Sequence, residues 1–266
     1  MSAPIRRLFF LLLLVALIVP ASQAADSTPA FDAANKLYEQ SRFADAAAAY
    51  GKLLESNPHS ETLLFNLGNA WFRAGQMGRA IAAYREAERL APREPGVRFN
   101  LQFVRKKVSG GESARGSLVH RTLSALTVKE WTLLAGVAFW SWFGLLAWRE
   151  ARPGSRGSVS GYTATVGVMT VALIGCAVAA AAQWSQVDAV VSVPEAIVRS
   201  GPLEEAKVLH QLRDGVELTL LDKKDVMSGE QKQTWIQVRD AAGRAGWLKS
   251  DQVVEVPAVG TETARR

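Results

Sequence analysis

The sequence has a single cysteine, Cys176, and three histidines, His59, His120 and His210. One thiol cannot close a disulfide within the chain, and this one lies in an uncharged apolar run, which excludes a thiolate metal site and argues against a cysteine nucleophile. The histidines are far apart, with no second ligand at metal spacing, so each is expected at the solvated surface. No glycine-rich phosphate loop and no serine elbow occur either. The expectation is a protein without a catalytic centre, a metal or a cofactor. Massed charge is also lacking. The 31 Lys and Arg against 25 Asp and Glu give a formal charge of +6, but Arg105-Lys106-Lys107 is the only basic triplet, so nucleic acid is not an expected partner.

Charge disappears altogether from two stretches, Trp131–Trp148 and Tyr162–Trp184. About 20 mostly apolar residues in a helix cross a hydrocarbon core of roughly 30 Å. Thr127-Val128-Lys129-Glu130 is a capping-box pattern, which starts the first span at Val128. The sequence thus predicts transmembrane helices over 128–148 and 162–184, with Trp131, Trp148, Tyr162 and Trp184 as interfacial anchors. The loop between them, 149–161, carries Arg149, Arg152 and Arg156 against Glu150, while Gln183-Trp184-Ser185-Gln186 carries no cation. Cation-rich loops stay in the cytoplasm, so both long flanks are expected outside. The competing reading, a buried helical hairpin of a soluble protein, is disfavoured by the length of the uncharged runs. Ala172, Cys176 and Ala180 recur every four residues, a small-residue face suited to the first span or to another protein's helix.

Residues 1–24 read as a secretory signal: Arg6-Arg7, the apolar run Leu8–Val19, then Pro20-Ala21-Ser22-Gln23-Ala24. Cleavage after Ala24 and retention as an anchor are both open, and either delivers the next segment to the outer face.

From 28 to 108 the sequence repeats with a period of 34. Phe31, Asn35 and Tyr38 fall over Phe65, Asn69 and Phe72; Ala46 and Tyr50 over Ala80 and Tyr84; Asn57-Pro58 over Ala91-Pro92. Each unit, 27–60 and 61–94, is expected to be a pair of amphipathic helices brought close by Ala34, Ala46, Gly68 and Ala80. A third unit, 95–108, supplies one capping helix. These residues resemble the tetratricopeptide repeat, whose pattern stands in the second unit as Leu67-Gly68-x-x-Trp71, Ala80-x-x-x-Tyr84, Ala87 and Pro92. The resemblance implies a concave groove for a peptide, lined by Phe31, Asn35, Tyr38, Phe65, Asn66, Asn69, Phe72, Arg73, Asn100 and Phe103. In the subclass that clamps a terminal carboxylate, basic residues are expected where this chain has Phe31, Gly96 and Asn100, so an apolar groove is the better expectation. Two repeats and a cap make a minimal stack, since about three repeats are usually needed for stability.

Residues 109–127, rich in Gly, Ser and Arg, read as a flexible tether on which the stack can move. Beyond the second span come short β-type runs at 189–193, 196–199, 217–221, 234–238 and 245–248, separated by turn signals such as Asp214-Gly215 and Ala242-Gly243. Val198-Arg199-Ser200-Gly201-Pro202, Trp235-x-x-Val238 and Gly243-x-x-Gly246-Trp247-Leu248 resemble the bacterial SH3-like (SH3b) domain, over 188–256. Lys223–Lys232 is expected to be a protruding polar loop and 257–266 a disordered tail.

The expected fold is a multidomain membrane protein: an all-α tetratricopeptide stack, a two-helix transmembrane hairpin and a small all-β SH3-like barrel. That order resembles BatE-type proteins of bacterial aerotolerance operons. The resemblance implies association with membrane proteins bearing von Willebrand factor A domains and with a MoxR-type ATPase in an assembly, chaperone or stress-tolerance role, and the leading expectation is a non-enzymatic inner-membrane scaffold. The alternative is an envelope sensor whose SH3-like domain binds peptidoglycan.

Overall fold

The computed structural model describes residues 29–110, 122–123, 125–151, 156–184, 188–228 and 231–256. The signal at 1–24, most of the tether, the centre of the 149–161 loop and the 257–266 tail lie outside the described residues.

Five helices form the repeat stack: α1 (Pro29–Glu39), α2 (Phe43–Ser56), α3 (Glu61–Arg73), α4 (Met77–Leu90) and α5 (Pro95–Val108). Both intra-repeat turns follow one hydrogen-bond scheme. Ser41 N–H donates to the Tyr38 carbonyl and Arg42 N–H to that of Leu37. One period later Gly75 donates to Phe72 and Gln76 to Trp71. This is the Schellman arrangement, which needs a left-handed residue after the helix; Ser41 has φ 61° and Gly75 φ 82°. Small residues set the helix spacing. Ala34, Ala46 and Ala80 are fully buried, and a Cβ on Gly68 would lie 2.6 Å from the Tyr84 ring.

Helices α6 (Val128–Ala151) and α7 (Arg156–Trp184) pack against each other as a hairpin. The capping box closes as its residues require: Glu130 N–H donates to Thr127 Oγ1 at 3.2 Å, and Thr127 N–H to Glu130 Oε2 at 2.9 Å. Both helices are long and apolar enough to cross a membrane. Their outer faces carry Leu133, Trp140, Phe143, Val168, Val171 and Val178 in the open. The expected small-residue face is met at two of its three positions, Cys176 and Ala180, which pack in the cluster around Trp131 of α6. Burial on α7 follows Thr163, Gly167, Thr170 and Ala180, with Gly167 pressed against the Trp142 ring. Ala172 is exposed and off the contact, because a helix face drifts with a period of about 3.5 residues and not 4. Of the four anchors, Trp131 is buried and donates its indole N–H to the Leu123 carbonyl. Trp148 and Tyr162 are exposed, and Trp184 ends α7.

The last domain is a curled antiparallel sheet in the order β3-β2-β6-β5-β4-β1-β7. The strands are β1 (Asp188–Val191), β2 (Glu195–Arg199), β3 (Val208–Arg213), β4 (Glu217–Ser228), β5 (Gln231–Arg239), β6 (Ala245–Lys249) and β7 (Val253–Val256). Ala189, Val191, Val198, Leu218, Ile236, Val238 and Leu248 form its core. Within Lys223–Lys232 the described residues are not a loop: 223–228 and 231–232 belong to the β4–β5 hairpin, with Asp225 opposite Thr234 and Met227 opposite Lys232. Their polar side chains read as loop, but they decorate a two-stranded ribbon exposed on both faces. Strands β3 and β7 had no place among the expected strands. Exposed Val208, Leu209 and Gln211 interrupt the alternation of the first.

The stack packs on this sheet. Val190, Val254 and Val256 enter one apolar cluster with Ala80, Ile81, Tyr84, Leu101 and Val104 of α4 and α5. The expected freedom of the stack is therefore corrected: its C-terminal face is covered by the SH3-like domain.

Candidate functional sites

Two surfaces of the stack carry its distinctive chemistry. The first is an open cavity of about 260 Å³ on the face formed by α1, α3 and α5. Its walls are Tyr38, Asn69, Phe72, Arg73, Tyr84, Phe99, Asn100, Phe103 and Val104. Phe99 and Phe103 stack with centroids 6.5 Å apart, Phe103 meets Phe72 edge-on at 5.7 Å, and the two are 67% and 51% exposed. Tyr84 Oη donates to Asn69 Oδ1 at 2.6 Å, and Asn100 Nδ2 donates to the same oxygen at 2.9 Å. Burial pushes the Tyr84 phenol well above its ordinary value, against the opposing effect of Asn100, so it remains a neutral donor. Arg73 lies over the Phe43 ring and Lys107 over that of Phe72.

Six of the ten residues expected in the groove line this cavity: Tyr38, Asn69, Phe72, Arg73, Asn100 and Phe103. The other four do not. Phe31 and Phe65 turn inward against Tyr50 and Tyr84, with centroids 6.2 and 6.1 Å apart. Asn35 accepts from Tyr50 Oη at 2.7 Å, repeating the Asn69–Tyr84 pair one period earlier. Asn66 is half-buried on α3, outside the lining. Phe99 was missed although it carried a signal: Phe31, Phe65 and Phe99 recur at the repeat period. One period after Tyr50 and Tyr84 the sequence has Leu118, outside the described residues. Phe99 thus lacks the ring that draws its counterparts into the core, and it stays in the open.

The second surface is the dock between stack and sheet. Arg85 donates to Asp188 at 2.5 Å and to Glu217 at 2.9 Å. Arg105 grips Glu217 with two nitrogens, at 2.6 and 2.8 Å, the paired geometry in which guanidinium–carboxylate contacts are strongest. Arg89, only 4% exposed, reaches Asp188 at 3.3 Å. Burial works against the Glu217 carboxylate, but Arg105 and Arg85 outweigh it and hold its pKa below the ordinary carboxylate range. For Arg89, burial and the neighbouring Arg85 lower the pKa, with Asp188 acting the other way. Asp214 accepts from the first two free N–H groups of α4, Met77 and Gly78, at 2.8 and 2.9 Å. Nothing within α4's own N-cap, Gln76, does this. Closeness is bought by glycine on both sides: a Cβ on Gly78 would stand 1.8 Å from the Val191 carbonyl oxygen, and one on Gly215 2.6 Å from Val108.

Among the described residues no group of three His, Cys, Asp or Glu could hold a metal ion. His210 lies 3.8 Å from Asp240, whose carboxylate is held by the Arg244 guanidinium and by the Ala242 and Arg244 N–H groups. No curated protein matches the chain. Residues 31–95 match the tetratricopeptide repeat family, and residues 192–255 match the bacterial SH3 domain family. Both are binding modules, and they point to protein partners, with the cell wall as the other ligand such an SH3 domain suggests.

Proposed function

We propose that this chain is a non-enzymatic adaptor of the bacterial inner membrane, with stack and SH3-like domain together on the outer face and the 149–161 loop in the cytoplasm. The observation that carries this reading is the aromatic groove, in which Phe99 and Phe103 remain 67% and 51% exposed beside Arg73 and Lys107. Large rings left in water at a concave surface are the anchors of a recognition site. The cations at its rim favour a segment that sets an apolar residue between acidic ones. The dock supports the topology, since domains in contact must share one face of the membrane, and two spans between them satisfy that. The loop arginines set the direction. The resemblance to BatE-type proteins supplies the partner class: membrane proteins with von Willebrand factor A domains, serving a MoxR-type ATPase in envelope stress or assembly. A photo-crosslinker at Phe99, read in intact membranes, tests this. Adducts to such a membrane protein that vanish in Phe103→Asp support it. Labelling of the stack from the cytoplasm, or adducts indifferent to Phe103, overturn it. Sedimentation of the full protein in detergent with purified cell wall separates the peptidoglycan reading.

A further inference from the structure

We infer that the SH3-like domain serves as the terminal cap of the repeat stack, closing the apolar face that a further repeat would cover, and that helix α5 thereby ties the groove to the dock. A repeat buries its outer face only against a neighbour. On α4 and α5, the last two helices of the stack, that face comprises Ala80, Ile81, Leu101 and Val104, and what covers it is Val190, Val254 and Val256 of β1 and β7. The residues of α4 are specialised for this role. Where the first repeat has Ala47, Gly51 and Glu55, the second has Ile81, Arg85 and Arg89, a larger apolar side chain and two arginines aimed at Asp188 and Glu217. The sheet is specialised in return. Ala189 and Val191 of β1 face the sheet's own core while Val190 faces the stack, so β1 is apolar on both sides. Helix α5 belongs to both sites. Phe99, Asn100 and Phe103 line the groove, and Leu101, Val104 and Arg105 meet the dock. A change at one site biases the other, and by linkage the effect is reciprocal.

The test inserts a protease site between Gly110 and Gly111 of the full chain, purified in detergent. After cleavage the stack is expected to co-elute with the membrane–SH3 piece at low ionic strength. Gly78→Ala discriminates, because every atom its Cβ would approach closely belongs to the SH3-like domain, while alanine favours the helix itself. It is expected to release the stack and to speed amide exchange in α5 at least tenfold, with β5 and β6 still protected. Glu217→Arg is expected to release it as well, and Arg105→Glu added to that variant to restore part of the association. If the wild-type pieces separate on cleavage, or if α5 exchange is the same in Gly78→Ala and wild type, the inference is overturned. Should Glu217→Arg lose protection in β5 and β6, the Gly78→Ala result decides.

Discussion

Asp214 of the SH3-like domain caps α4 of the repeat stack, its carboxylate accepting from Met77 N–H at 2.8 Å. The two residues are 137 positions apart, so a local helix-start rule is satisfied by a distant domain. A side-chain cap contributes about 1 kcal/mol, and the carboxylate also faces the positive end of the helix dipole. Asp214→Ala is expected to weaken the dock by about 1 kcal/mol, read as faster amide exchange in the first turn of α4. Asp214→Asn, which keeps an acceptor, should lose less.

Acid should loosen the same contact. Glu217 is held below the ordinary carboxylate range in the folded protein, so its stabilising effect is complete above the unfolded value of about 4.3 and is lost as pH falls through the folded one. Association of the cleaved pieces is expected to be level from pH 7 to 5 and to fall below about pH 4. Glu217→Gln should be weaker at neutral pH by about 2 kcal/mol, since it leaves Arg105 without its carboxylate and Arg85 with Asp188 alone, and should lose part of the acid-dependent decline.

What was legible in the sequence was whatever depends on neighbours. The 34-residue period placed Ala34, Gly68 and the two tyrosines, and the capping box placed the start of α6. What was not legible was the dock, because it depends on residues about a hundred or more positions apart. Its traces were present all the same. Comparing repeats shows Arg85 and Arg89 replacing Gly51 and Glu55, and Ala189-Val190-Val191 is apolar without alternation, which a strand buried on both sides requires. The groove was half legible for a related reason. Periodicity tells which positions are equivalent, but Phe31, Phe65 and Phe99 differ in fate because only the first two have a tyrosine to pack on.

The two intra-repeat turns make a controlled comparison. Ser41 and Gly75 occupy the same left-handed position, which costs a residue with a side chain roughly 1–2 kcal/mol. Glycine loses more chain entropy on folding, which offsets part of that gain. Ser41→Gly is expected to raise the stability of the stack by about 0.5 kcal/mol, and Gly75→Ser to lower it by about 1 kcal/mol. Denaturant midpoints followed by helix circular dichroism check both, and equal shifts of one sign would contradict the turn assignment.

Tyr84 separates the groove's structural frame from its binding surface. Its hydroxyl is buried, donates to Asn69 Oδ1 at 2.6 Å and accepts a longer bond from Asn100 Nδ2 at 3.5 Å, so Tyr84→Phe removes both and leaves Asn69 Oδ1 with Asn100 as its donor. The expected cost is about 1 kcal/mol of stability, with the same expected for Tyr50→Phe, whose partner is Asn35. Phe99→Ala should behave in the opposite manner. Its ring is 67% exposed and contacts chiefly Phe103, so the fold should lose less than about 0.5 kcal/mol. An anchor ring that becomes buried on binding is worth 2 kcal/mol or more, roughly a thirtyfold loss in affinity. Crosslinking yield at Arg73 in the two variants reads this difference: Tyr84→Phe should retain most of the partner at low temperature, whereas Phe99→Ala should lose it while melting as the wild type does. If Phe99→Ala keeps the partner, the exposed ridge is not the recognition surface, and the Asn69–Asn100 floor must carry the contact.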